Sequence, residues 1–205
     1  MNNPILTAID ERRTTNLFDP SCTIDDAQIS ELVRLATKAP TSFNLQNWRF
    51  IAVRSPERKA ELRAVAWDQV KITNSAVTFI VVGQMADHRT LQDRLAPLVA
   101  AGVMPETMVG GWEGAAASLY EGQPWRQRDE AVRSAIFGAT TLIYAAQAMG
   151  LGSAPMIGFD PEAVARHFEL AENEIPVLLL SIGRATSENW SQKPRRPLAQ
   201  VLDFA

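Results

Sequence analysis

The sequence predicts one domain of mixed helices and strands, α+β or α/β, built around a sheet of about four strands. Two apolar runs, at residues 77–82 and 177–182, have the length of buried strands, and residues 49–54 alternate as a half-buried strand does. Helical patterns separate these runs along the chain, which indicates a mixed class. With 205 residues and 46% hydrophobic content, residues 1–205 can bury a sizeable core as a single domain.

The first predicted helices have recognisable ends. Asp25 can cap a helix together with Gln28, because the two side chains can satisfy each other's backbone N–H groups. Pro40 ends that helix at Ala39, since proline disfavours the helical conformation of the residue before it. Ser55, followed by a proline and an acidic residue, predicts the start of a second helix after the strand at 49–54.

The second half of the chain repeats this alternation. An alanine-rich helix is predicted over residues 129–149, and Gly150 and Gly152 end it. A short segment at 153–157 follows, and Asp160 then opens another helix before the strand at 177–182.

Two regions have weaker patterns. Residues 86–128 contain scattered aromatic side chains among glycines and prolines, and we interpret them as a helical excursion and a candidate lid. Residues 185–205 are polar and broken by prolines until their apolar end at Val201, Leu202 and Phe204. That apolar end predicts a docked tail rather than a frayed one.

Bulk properties exclude several functional classes. The formal net charge of −3 does not favour binding to nucleic acid or to a membrane surface. Cys22 is the only cysteine, which excludes an intrachain disulfide and fits a reducing compartment. His88 and His167 lie far apart, and no spacing resembles a metal site. The N-terminus lacks the pattern of a signal peptide, so we expect a cytoplasmic protein.

The stretch at residues 40–48 is the most informative motif. It places the hydroxyls of Thr41 and Ser42 close to the amides of Asn44, Gln46 and Asn47, between a helix and a strand. Uncharged donors and acceptors of this kind can bind the edge of a polar heteroaromatic ring. The alternative is a capped turn with solvated amides.

Two basic clusters lie near the ends of the chain. Arg12 and Arg13, followed by Thr14, suit a phosphate group, because guanidinium donors pair with phosphate oxygens. Alternatively, these arginines only complement the C-terminus of a helix. Lys193 and Arg195 lie on a segment stiffened by prolines, and the alternative there is a solvated basic tail.

Residues 150–159, with the sequence GLGSAPMIGF, form a third motif. They lack the glycine spacing of a dinucleotide-binding fingerprint. Their small residues would instead let backbone N–H groups approach a flat ligand, although a structural turn between a helix and a strand explains them as well.

These four motifs, taken in order, resemble those of the nitroreductase family of flavoenzymes, over residues 5 to about 200. The resemblance implies an α+β fold with a central, mostly antiparallel sheet flanked by helices. It also implies a homodimer with FMN bound non-covalently at the interface, and a tail at about 185–205 that extends onto the partner subunit.

The resemblance further implies which residues contact the flavin. The phosphate group would be held by cations and a hydroxyl near the two ends of the chain, and the ring by the 40–48 loop of the partner chain and by the backbone of the third motif. The implied contacts are Arg12, Arg13, Thr14, Asn16, Pro40, Thr41, Ser42, Asn44, Gln69, Lys71, Pro155, Met156, Ile157, Gly158, Lys193 and Arg195.

The activity that follows from the resemblance is a ping-pong oxidoreduction. NAD(P)H would deliver a hydride to flavin N5, and an electron-poor acceptor such as a nitroaromatic, a quinone or an activated alkene would then take it. No side chain is expected to act as nucleophile or general base. The substrate pocket would include Phe43, Trp112, Tyr120 and Trp125.

Alternatives remain at this point. A non-catalytic FMN carrier or sensor, or a related flavoenzyme that carries out dehalogenation, desaturation or flavin fragmentation, would share the scaffold. The chain also departs from the family at Asn16, where many members have a cation, and at Asn47, where many have a proline.

Overall fold

A computed structural model describes residues 3–205 and contains a four-stranded sheet flanked by helices. All three strand pairings are antiparallel, and the order across the sheet is β1-β2-β4-β3. The strands are β1 Trp48–Val53, β2 Val77–Gln84, β3 Gly152–Met156 and β4 Glu174–Gly183. The predicted α+β class with a central antiparallel sheet is confirmed.

The helices alternate with the strands along the chain. The Asp25 side chain accepts from the Gln28 N–H at 2.7 Å, and the Gln28 side chain accepts in return from the Asp25 N–H, so the predicted capping box is confirmed. The helices are α1 Pro4–Glu11, α2 Asp26–Ala36, α3 Pro56–Ala64, α4 Val70–Asn74, α5 Leu91–Ala100, α6 Val109–Tyr120, α7 Pro124–Ala148 and α8 Pro161–His167.

Helices cover both faces of the sheet, which explains the continuous apolar run of β2. Phe79 and Val81 point into the core formed with α2 and α7, whereas Ile80 and Val82 point into the core formed with α3 and α8. When both faces of a strand are buried, its residues are apolar on both sides and do not alternate between apolar and polar. All residues of β2 except Gln84 are buried.

Two helix boundaries differ from the sequence predictions. Helix α2 ends at Ala36, three residues before Ala39, and tight backbone turns continue the chain to Pro40. Helix α7 begins at Pro124 rather than at residue 129. A proline in the first turn is pre-organised for a helix. However, Trp125 is the one apolar residue between Pro124 and Ala131, so the sequence shows no apolar periodicity that would predict the earlier start.

Helices α5 and α6 lie within residues 86–128 and have a small core of their own. Leu91, Leu95, Ala116 and Tyr120 are buried there, together with Leu45 from the loop before β1. This core ties the excursion to the 40–48 loop.

The C-terminal tail is exposed in the single chain. Leu198 and Phe204 are 75% and 92% exposed, and Val201 and Leu202 are also exposed. Docking of this apolar end on a partner therefore stays a prediction.

Two further observations concern the described residues 3–205. None of the helices there has both the length and the apolarity needed to cross a bilayer. No three His, Cys, Asp or Glu side chains in that range are arranged to hold a metal ion.

Candidate functional site

The loop before β1 has an unusual backbone that is held by its own side chains. Phe43, Asn44 and Gln46 have φ angles of 50°, 56° and 46°. Asparagine tolerates this left-handed region, but phenylalanine rarely occupies it. The Thr41 hydroxyl accepts from the Gln46 N–H at 3.0 Å, and Leu45 anchors the loop in the core. The loop is therefore a fixed structure and not a solvated turn.

The aromatic residues expected to border the substrate mostly support this loop. The Phe43 ring meets the Trp112 and Tyr120 rings edge-on, with centroids 6.0 and 6.4 Å apart. The Tyr120 hydroxyl donates to the Ser42 hydroxyl at 3.0 Å, and burial raises the pKa of Tyr120. Only 4% of Tyr120 is exposed, whereas Trp125 is 58% exposed. Of these four, Trp125 is the most accessible.

The N-terminal basic cluster lies beside the start of β3. The Thr15 N–H donates to the Ser153 carbonyl at 2.8 Å, and Thr14 and Ser153 form a parallel bridge. This contact extends the edge of the sheet by one short segment. It places Arg12 and Arg13 against the glycine-rich turn between α7 and β3.

The tail brings the second basic cluster to the same place. The Gln192 side-chain amide donates to the Arg12 carbonyl at 2.7 Å. A cleft of about 600 Å³ lies on one side of Gln192 and includes Arg12 and Arg13. A second cleft of about 150 Å³ lies on its other side and includes Thr14, Asn16, Gln192, Lys193 and Arg195. The two ends of the chain thus form one basic region.

The cations of the basic region form no ion pairs with described residues, although Asp10 and Glu11 line the same cleft as Arg12 and Arg13. Within residues 3–205, no carboxylate lies within 4.0 Å of the cationic groups of Arg12, Arg13, Lys71, Lys193 or Arg195. Burial and the nearby Lys193 ammonium lower the pKa of Lys71. Cations that lie close together without partners favour an anionic ligand.

A continuous path links the basic region to the turn after β3. Lys71 donates to the Asn16 side-chain oxygen at 3.4 Å, and the Gln69 amide donates to the Gly158 carbonyl at 2.8 Å. Strand β3 runs alongside this path, from Gly152 beside the cations toward Gly158. Over the four residues from Ser153 to Ile157 an extended chain covers roughly 13 Å.

The residues at the end of β3 differ in what they offer a ligand. Met156 is 5% exposed and belongs to the core, so it offers a ligand little beyond its backbone. Pro155 and Gly158 are partly exposed, and Ile157 is 81% exposed. The exposure of Pro155, Ile157 and Gly158 is compatible with a flavin that contacts their backbone groups. That contact stays a prediction.

The 40–48 loop lies away from that path. It precedes β1, and β1 and β3 are the opposite edges of the sheet. Trp48 on β1 pairs with Gly83, near one end of β2. Ser153 on β3 lies level with the other end of β2, because its partner Ile182 pairs with Val77. Three strand spacings across the sheet and six residues along it separate the two places by roughly 25 Å. In a single chain, Asn44 and Arg12 do not form one site.

Asn47 points into the protein. It is 5% exposed, and its side-chain amide donates to the Gln84 carbonyl at 2.8 Å, while its side-chain oxygen is buried without a partner. This residue, where the family often has a proline, therefore fixes the loop to the end of β2.

Sequence reasoning missed Trp67. A Cβ built on Gly158 would lie 2.7 Å from the Trp67 ring, so the indole directly covers the turn after β3. Trp67 lies between a predicted helix and Gln69. The signals in the sequence that could have identified it are its large aromatic side chain and its position two residues before a predicted flavin contact.

Comparison with known proteins decides the family. The model of the nitroreductase family matches residues 9–184. The chain belongs to the nitroreductase family. The resemblance recognised from the four motifs is therefore confirmed.

Individual members of the nitroreductase family are similar over nearly their whole length. A Bacillus subtilis (strain 168) protein assigned as an NAD(P)H nitroreductase, YodC, is 31% identical over 196 residues, 96% of each chain. An NADH dehydrogenase of Thermus thermophilus is 29% identical over 96% of this chain and 93% of its own. A crystal structure assigned as a nitroreductase in complex with FMN, from Exiguobacterium sibiricum 255-15, has a TM-score of 0.91 and 26% identity over 100% of this chain and 99% of that one.

Proposed function

We propose that this protein is an FMN-dependent oxidoreductase that uses NAD(P)H to reduce an electron-poor acceptor, such as a nitroaromatic, a quinone or an activated alkene. The observation that carries the proposal is the cluster of cations from both ends of the chain, which form no ion pairs with described residues and lie along β3 from the turn at Gly158. Its membership of the nitroreductase family and a relative crystallised with FMN support the same cofactor.

The residues present fit the three parts of FMN. Arg12, Arg13, Lys193 and Arg195, with the Thr14 hydroxyl, would hold the phosphate group, which needs several cationic donors. Asn16 and Lys71 lie next along the path and would contact the ribityl chain and the pyrimidine side of the ring. Gln69 and the backbone at Pro155, Met156, Ile157 and Gly158 would border the ring.

When bound, FMN supplies a position, N5, that can accept a hydride from NAD(P)H and release it to an acceptor. The chain's contribution is to bind, orient and tune. Lys71 donates to Asn16, which lines the cleft, and its ammonium group would favour the negative charge that accumulates as electrons enter. NAD(P)H and the acceptor would occupy the same face of the cleft in turn, which is a ping-pong order.

The complete site would require a second copy of the chain. Pro40, Thr41, Ser42 and Asn44 lie on the opposite edge of the sheet from the phosphate cluster, so in one chain they cannot contact the same ligand. A two-fold homodimer that joins the loop edge of one subunit to the cleft of the other would complete both sites at once. The exposed apolar side chains Phe137 on α7 and Phe204 in the tail offer surfaces for this association.

Purification tests the proposed function directly. We expect a yellow protein whose flavin absorption is bleached by NADH or NADPH without oxygen and returns on addition of a quinone. NADP⁺, which cannot donate a hydride, is the matched control and should leave the spectrum unchanged. A colourless protein that cannot be loaded with added FMN would contradict the proposal, and a yellow protein that neither nucleotide bleaches would identify a carrier or sensor instead.

A further inference from the structure

We infer that Trp67 forms the aromatic wall of the acceptor pocket and selects flat, uncharged aromatic acceptors. This inference rests on the proposed function, because the wall borders the turn at which the flavin ring would lie. Its basis is the position, exposure and backbone conformation of this one residue.

The indole of Trp67 is exposed although it is held in place. Trp67 is 76% exposed and takes no part in the three buried apolar clusters of the described chain. A large aromatic side chain that stays in solvent offers a flat apolar face on which a ligand can stack. Its ring lies close to Gly158, on the turn after β3.

The backbone of this segment has a conformation that side chains rarely adopt. Trp67 and Asp68 have φ angles of 51° and 55°, two left-handed residues in succession and neither of them glycine. Strained backbone of this kind persists only when its surroundings hold it, and it is common at ligand sites. Here the Asp68 N–H donates to the Arg63 carbonyl at 3.2 Å, and the Arg63 guanidinium pairs with the Asp68 carboxylate at 2.7 Å. These contacts hold the indole against Gly158.

The chemistry of the surrounding surface identifies the ligand class. Ile157, 81% exposed and one residue before Gly158, adds a second exposed apolar side chain to this turn. The nearest carboxylate in sequence, Asp68, is already paired with Arg63. An exposed aromatic face on a turn that also exposes an aliphatic side chain favours stacking with a planar and uncharged aromatic molecule. Nitrobenzene and benzoquinone are acceptors of this kind.

Gly158 must lack a side chain because of Trp67. A Cβ there would lie 2.7 and 2.9 Å from two atoms of the indole ring, but 3.4 Å from the Gln69 amide, which is nearly an ordinary contact. The φ angle of Gly158 is not in the left-handed region, so the backbone itself would accept alanine. The contact with Trp67 is thus the principal obstacle to a side chain at this position.

Equilibrium binding to the oxidised, FMN-loaded protein tests the inference without turnover. Nitrobenzene is titrated while the flavin absorption band is followed, in wild type and in Trp67→Ala, Trp67→Phe and Val103→Ala. Val103 is 73% exposed in a different part of the chain and serves as the matched control for loss of an exposed apolar side chain. We expect a dissociation constant raised about 10-fold by Trp67→Ala, and about 3-fold or less by Trp67→Phe and Val103→Ala.

Two further measurements separate this inference from the proposed function. FMN affinity should stay within about 3-fold of wild type in Trp67→Ala, and turnover with ferricyanide, a small anion that needs no stacking surface, should change little. Gly158→Ala should weaken FMN binding, and Trp67→Ala added to it should restore that affinity, because the obstructing ring is gone.

The outcomes are distinct. Nitrobenzene binding unchanged in Trp67→Ala, or a double variant no better than Gly158→Ala alone, would overturn the role of Trp67 while the flavin function stands. A wild type that does not bind FMN would overturn both.

Discussion

Replacing Arg12 and Arg195 together by alanine is expected to weaken FMN binding about 100-fold, since each cation supplies a charge-assisted hydrogen bond to the phosphate group. Neither guanidinium has a carboxylate within 4.0 Å in the described chain, so the loss cannot be attributed to broken ion pairs. Fold stability should therefore change little. The measurement is a fluorescence titration of the apoprotein with FMN, paired with a thermal melt.

The matched control removes the same charge elsewhere. Arg94 and Arg128 are exposed, also lack a carboxylate within 4.0 Å among residues 3–205, and line none of the clefts near β3. Alanine at both should leave FMN affinity within about 3-fold, less than the effect of one lost charged hydrogen bond. Equal weakening in the two double variants would mean that general electrostatic attraction, and not the phosphate site, holds the flavin.

Gly83→Ala should lower the free energy of unfolding by about 3 kcal/mol, the upper end of overpacking costs in a well-packed core. Gly83 lies near the end of β2, and a Cβ there would be 2.5 Å from the carbonyl oxygen of Ala131 on α7. Backbone atoms of a long helix cannot move aside as a flexible side chain can. The measurement is chemical denaturation followed by circular dichroism.

Gly114→Ala is the control for the same substitution without the obstacle. Gly114 is an exposed position inside α6, and nothing lies within 4 Å of a Cβ built on it. Alanine there should raise stability by about 1 kcal/mol through helix propensity alone. If both substitutions were neutral, the close approach of α7 to β2 would be wrong.

Local patterns predicted most of the fold. The capping box of Asp25 and Gln28 depends on two residues three positions apart, and the buried run of β2 depends on its own composition, so both were predictable. The start of α7 at Pro124 was not, because Trp125 is the one apolar side chain between Pro124 and Ala131 and leaves no periodic signal. The pairing of β3 with the outer edge of β4 requires contacts far apart in sequence.

For the site, the residues alone left two interpretations of each motif, and the resemblance to the family favoured flavin binding. The cations near both chain ends could be assigned to one phosphate from the resemblance, and the Gln192–Arg12 contact places them together. Tyr120 and Trp67 show the limit. Tyr120, expected in the substrate pocket, is mostly buried against the 40–48 loop, whereas Trp67, for which no role was predicted, is exposed beside Gly158. Burial of an aromatic side chain depends on tertiary packing that a single sequence does not reveal.

Subunit mixing tests the central claim that each flavin site is shared between two chains. One parent carries Arg12→Ala and Arg195→Ala, and the other carries Asn44→Ala in the loop on the opposite sheet edge. Both are mixed, unfolded and refolded together at an FMN concentration that fills wild type but leaves each parent nearly empty. If the loop acts on the partner's cleft, every mixed dimer has one intact site and one doubly defective site.

The quantity measured is the flavin bound per chain after removal of free FMN. Random pairing makes half of the dimers mixed, so about a quarter of all sites should regain FMN. If Asn44 instead served the cleft of its own chain, every site in a mixed dimer would carry one defect. Flavin content no higher than that of the parents would then contradict the shared site.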